Sequence, residues 1–266
     1  MTEAFGRISV IASNTFRESV RNKAFIFLML ASLALLFSSL LLAELAVVGQ
    51  EKRLVQDFGL YFISLMGVVI AITSGVILVY KELDKKTIYT VLARPLHRWE
   101  FILGKYLGML QILIIEICAL AALWFIILFL TGIPFQLVFV KAVLLMFGEW
   151  MIISAVALLF SSFSTPILSG VLSFAIFMVG RVTYIIQEML EAKSRGLFVS
   201  APGLRPFGEA IVRVFPDLSI FNISKEILLG QAVEWTYVLQ AYAYGLSYVV
   251  ILVALAVLLF QRRDFV

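Results

Sequence analysis

Hydrophobic and polar positions divide this chain on a coarse scale. Six apolar runs lie at roughly 25–47, 59–80, 107–130, 138–161, 167–186 and 238–260, separated by polar intervals of unequal length. A helix needs about 20 apolar residues to cross some 30 Å of hydrocarbon, and each run supplies them. The pattern predicts an all-α integral membrane protein with six transmembrane helices. Ahead of the first run, residues 1–24 have a different period. At about 100° per residue, Phe5, Ile8, Ala12, Phe16 and Val20 share one arc, and Arg7, Asn14, Arg17 and Arg21 the opposite one. This predicts an amphipathic helix in the headgroup layer, with Arg7, Arg17 and Arg21 toward anionic lipid or a partner, or else a simple extension of the first span. The expected organisation is therefore an interfacial helix, 1–24, and a six-span domain, 25–266.

The polar intervals differ in kind. Between the fourth and fifth runs only Ser-Phe-Ser-Thr-Pro intervenes, with Pro166 forcing a tight turn. Residues 81–105 form the longest strongly charged interval between two runs and carry the single histidine, His97. There Lys81 to about Leu92 continues span two as a helix, supported by Glu82 and Lys86 at i, i+4. Pro95 then bends the chain, and Lys105 marks re-entry into span three. The expected shape is a helical hairpin with Arg94, Pro95, Leu96, His97 and Arg98 at its tip. Residues 187–238 are too long for a simple connector. Their start prolongs span five as far as Gly196, Pro202, Pro206 and Pro216 break the chain, and a short helix precedes span six.

Composition sharpens the class. With 62% hydrophobic and 14% charged residues and a mean hydropathy of +1.05, the chain is far from the composition of soluble globular proteins. The net charge of +4 points to loops rich in Lys and Arg on the cytoplasmic side rather than to nucleic acid. With an inward N-terminus, twelve Lys and Arg fall inside and seven outside, the latter offset by Glu188, Glu191, Glu209, Asp217, Glu226 and Glu234. Both termini and residues 81–105 are thus expected in the cytoplasm. The first run is longer than a signal-peptide core and reads as a retained span. Cys118 is the sole cysteine, which excludes a disulfide framework and a paired-cysteine metal site.

Candidate chemistry is sparse. His97 has no second histidine for a metal. Gly104-Lys105 is followed by Tyr106 and lacks the earlier glycine of a phosphate-binding loop. No ATP-binding motif or catalytic set emerges. Ionisable residues inside spans are functional candidates by default. By helical rise, Glu116, Glu149 and Arg181 lie roughly 14, 18 and 21 Å from the inner ends of their spans, at similar height. An Arg181–Glu149 pair is feasible, with Glu116 nearby. It either fixes helix register or lines a transport path. Glu44 and Lys141, near the outer surface, can snorkel. Gly67, Ala71 and Gly75 form a ridge on span two that permits close packing.

Several segments together resemble the permease subunits of ABC-2 type ABC transporters. The family pattern of an acidic residue after span two, Gly-Thr, a Leu-Leu-Ser/Ala-x-Pro segment and Leu-Gly-Lys is matched by Glu82, Thr87, Val91-Leu92-Ala93-Arg94-Pro95, Arg98 and Leu103-Gly104-Lys105. Lys86 stands where glycine is usual. Ala157 to Phe163, Phe215-Pro216-Asp217-Leu218 with Phe221-Asn222, and Arg262-Arg263-Asp264-Phe265 are similar to later segments of that family. The resemblance implies a permease that dimerises with a second copy or a paralogue and moves substrate, outward, across a bacterial or archaeal cytoplasmic membrane. A separate ABC ATP-binding subunit would bind ATP and Mg, and this chain would hold no cofactor. The resemblance also implies that Glu82, Thr87, Arg94, Pro95, Leu96, His97, Arg98 and Lys105 couple to that ATPase. Two other classes remain on the residues alone: a secondary carrier or channel using Glu116, Glu149 and Arg181, and a membrane anchor that recruits an ATPase. The carrier lacks support from an inverted repeat or paired broken helices.

Overall fold

The computed structural model describes residues 2–45, 49–84, 97–191 and 202–261. Among these residues the chain is helical without strands. The elements are α1 (Thr2–Val20), α2 (Lys23–Glu44), α3 (Glu51–Asp84), α4 (Arg98–Leu130), α5 (Leu137–Ser161), α6 (Pro166–Glu191), α7 (Arg205–Val214), α8 (Ser224–Leu228) and α9 (Trp235–Gln261), with 3-10 turns at Pro202–Leu204 and Ser219–Phe221. Six of them, α2 to α6 and α9, are long and apolar enough to cross a membrane. Successive spans alternate in direction, so α1, the start of α4 and the end of α9 share one face, called here the terminal face.

Helix boundaries differ from the apolar runs where polar residues continue a helix. α3 begins at Glu51, eight residues ahead of the expected start, and α4 begins at Arg98 rather than 107. Hydropathy marks the hydrocarbon-crossing part of a helix, whereas backbone hydrogen bonding carries the helix on into the polar layers. Proline gives the second difference. Pro206 lies in the first turn of α7, where its missing N–H is an orphan in any helix, so this proline helps start a helix instead of breaking the chain. Pro166 likewise opens α6.

Three helices, α3, α4 and α5, make the centre, and α2, α6 and α9 flank it. Close approach is set by small residues. A Cβ on Gly67 would fall within the Trp150 indole, and one on Gly75 would lie 2.5 Å from the Ala157 Cβ. The ridge on α3 therefore packs against α5, with Trp150 fully buried in the space the glycine leaves. Gly59, one further turn pair along, accommodates Trp124 of α4 in the same way.

Helix α1 lies on α4. A Cβ on Gly104 would come 2.7 Å from Ile11, and one on Gly108 2.6 Å from Thr15. The buried line of α1 is Ala12, Thr15 and Ser19, while Phe5 and Val20 stay exposed. The apolar arc thus splits: Ala12 faces protein, and Phe5 and Val20 are left uncovered by the described residues. Arg17 and Arg21 are exposed beyond it.

Candidate functional site

The first turn of α4 gathers three ties at the terminal face. Arg7 Nε and Nη2 donate to the two carboxylate oxygens of Glu100, at 3.0 and 2.7 Å. This fork is planar and bidentate, the geometry that fixes orientation as well as distance. Glu100 is fully buried and also accepts from the His97 backbone N–H at 3.2 Å, closing the helix start. Arg98 Nη1 donates to the backbone carbonyls of Phe260 and Gln261, at 3.2 and 2.8 Å. A cation on the last carbonyls of α9 is favourable with respect to that helix's dipole. One turn on, Phe101 stacks on Phe260 with centroids 5.7 Å apart.

Lys105 is buried within the protein. Its Nζ lies 4.0 Å from Glu18 of α1 and 5.7 Å from the centre of the Phe101 ring. His97 is the exposed residue just before α4. The expected hairpin tip is therefore divided: His97 and Arg98 belong to the α4 start, while Thr87, Arg94, Pro95 and Leu96 lie outside the described residues. Helix α3 reaches Asp84, which includes Glu82 in its backbone. Sequence reasoning missed Glu100, the residue on which the Arg7 tie depends. Its place three residues after His97, at the opening of an apolar run, is a helix-start signal that could have found it.

Among the described residues, no hydrogen bond or ion pair links Glu116 to Glu149 or Arg181. Arg181 on α6 grips Glu149 on α5, with Nε to Oε1 at 2.6 Å and Nη2 to Oε2 at 2.7 Å. Ser64 on α3 joins them, donating to Glu149 Oε2 at 3.2 Å and accepting from Arg181 Nη2. The Phe177 ring, one turn before Arg181, lies 5.5 Å from the guanidinium carbon. Glu149 is fully buried, and the Arg181 side chain is 22% exposed. Three helices are thereby pinned at one level. Glu116 takes another partner, accepting from Ser32 of α2 at 2.9 Å.

Above the pair, on the face opposite the terminal one, the connector after α7 is pulled into the bundle. Leu218 fits against Gly180, and its N–H donates to the Gly180 carbonyl at 3.0 Å. Phe221 fills the space left by Gly148 and Gly245. Both side chains are buried, and Gly180 and Gly148 directly precede Arg181 and Glu149 in sequence. Asp217 holds this turn by accepting from Ser219 N–H and Oγ, and its own N–H donates to Tyr244 Oη at 2.7 Å. At the rim, Lys141 donates to the Val233 carbonyl and lies 4.9 Å from the centre of Trp235. Lys141 thus ties down the connector, whereas Glu44 is exposed.

These features define a multi-pass helical membrane protein with a tied helix start at one face and a charge pair deeper in whose carboxylate is buried. The sequence profile of ABC-2 family transporter proteins matches residues 9–265. The chain belongs to that family and is an ABC-2 type permease. A search of curated proteins returned no significant match.

Proposed function

We propose that this permease is the membrane half of an ABC exporter, moved by ATP that a separate ATP-binding subunit hydrolyses with Mg. The ATPase engages residues 81–105 from the cytoplasm, both termini lie on that side, and two permease chains form the working unit in a bacterial or archaeal cytoplasmic membrane. The observation that carries this reading is the tied start of α4. Any push on the stretch before His97 is transmitted at once to α1 through Arg7–Glu100 and to α9 through Arg98. Rigid-body displacement of helices is an established way to convert a local event into a global one. Family membership supports the ATPase partner, and the twelve-to-seven charge asymmetry supports the orientation.

Co-purification tests it. The permease should retain a phosphate-binding-loop ATPase, and Arg94→Glu should weaken that association and reduce ATPase stimulation while membrane insertion stays normal. A permease that transports at full rate along an ion gradient with no ATPase present would overturn the proposal. The carrier alternative called for Glu116, Glu149 and Arg181 to work together. Glu116 bonds Ser32 rather than Glu149 or Arg181, so no shared hydrogen-bond network supports the carrier alternative.

A further inference from the structure

Between α3 and α6, below the connector that carries Asn222 and Ser224, lies a cavity of about 280 Å³. Its inner end is the Arg181–Ser64 contact and its outer part includes Asp57. Asp57 precedes Ser64 by seven residues, so it sits about 10 Å further out along α3. Tyr61 and Met178, 57% and 44% exposed, line it as well and open it toward the flank of the bundle.

The polar groups specify what fits. Glu149 and Ser64 occupy Arg181 Nε and Nη2. Nη1, the corner directed away from Glu149, keeps two N–H donors for which no described residue supplies an acceptor. The Arg181 charge is balanced by Glu149, whereas Asp57 is exposed and ion-paired with no described residue, Arg53 one turn earlier donating instead to the Leu228 carbonyl. Lys225, next to Ser224, is drawn to Tyr184 Oη at 3.4 Å and does not line the space. An anionic head is therefore disfavoured by Asp57, and a purely cationic one leaves the Nη1 donors unfilled. The volume lies near the lower limit of the roughly 300–1,000 Å³ typical of ligand pockets, enough for a head group but not for its chains.

We propose that this cavity seats the head group of a zwitterionic lipid-like amphiphile. Its acceptor oxygens meet Arg181 Nη1, its ammonium faces Asp57, and its chains leave past Tyr61 and Met178 into the bilayer. As a statement of cargo class this rests on the transport reading above; the binding itself is measured without any ATPase, so failure of one is separable from failure of the other. The full chain in detergent is mixed with phosphatidylethanolamine or phosphatidylglycerol of identical acyl chains, and retained lipid is counted by native mass spectrometry. Phosphatidylethanolamine should be retained, with phosphatidylglycerol about tenfold weaker, a difference of about 1.4 kcal/mol. Asp57→Asn should erase that preference. Met178→Trp, which fills the cavity from an exposed position, should abolish retention, and Arg181→Lys, which keeps the charge but removes the outward N–H pair, should weaken it. Equal retention of the two lipids by the unaltered chain, retention of neither, or undiminished retention by Met178→Trp would each overturn the proposal.

Discussion

Arg181 and Glu149 show how a charged pair survives in a low-dielectric interior. The carboxylate receives three hydrogen bonds, two from one guanidinium and one from Ser64, so little of its charge is left uncompensated. Removing one partner strands the other, at a cost of about 3–5 kcal/mol, whereas removing both leaves a site that apolar side chains can fill at little cost. Arg181→Met should accordingly lower the thermal unfolding temperature in detergent strongly, and adding Glu149→Leu should recover most of the loss. Ser64→Ala should cost about 1 kcal/mol, the worth of a hydrogen bond between buried partners. A double variant no more stable than Arg181→Met alone would show that the pair is not what pins these helices.

At the scale of elements, glycines decide which helices meet. Gly104 and Gly108 let α1 lie directly on α4: the Ile8 and Ala12 carbonyl oxygens come 3.1 and 2.8 Å from where the glycines' Cβ atoms would stand, closer than ordinary van der Waals contact. Gly104→Leu should lift α1 from the bundle, which is measured as faster amide hydrogen exchange across Ala12–Ser19, with α5 unaffected. Gly180→Leu should do the corresponding thing to the connector, displacing Leu218 and speeding exchange at its N–H. The sequence made the spans plain because six runs of about 20 apolar residues have few other physical solutions. It also carried the two charges of the α5–α6 pair, since an ionisable residue in such a run stands out. Less was legible where burial is achieved by shape. Nothing in the local pattern tells that Gly148, Gly180 and Gly245 receive Leu218 and Phe221, because small residues signal close packing without naming the partner. The protein-facing line of α1 was illegible for the same reason. Phe5 is exposed while Thr15 and Ser19 are buried, and Thr15 is small enough to lie against Gly108. Pro206 misled because proline breaks a helix interior but suits its first turn.

For the whole molecule, the ties at the α4 start join three elements that are far apart in sequence: α1, α4 and the end of α9. On the proposed reading, a bundle linked in this way would move as a unit when the stretch before His97 is displaced, which is what an external motor requires. Loss of the Arg98 contact by Arg98→Met should free the last turn of α9 without unfolding the spans, seen as faster exchange confined to residues after Val257. The Arg7–Glu100 fork gives the most direct measurement of the central claim. The permease is reconstituted in vesicles with its co-purified ATPase, and ATP hydrolysis is compared for Arg7→Glu, Glu100→Arg and the two together. Each single change should sharply reduce the permease's stimulation of hydrolysis, and the exchanged pair should restore a substantial part of it. Stimulation that stays normal in both single variants would contradict a mechanism driven through the start of α4.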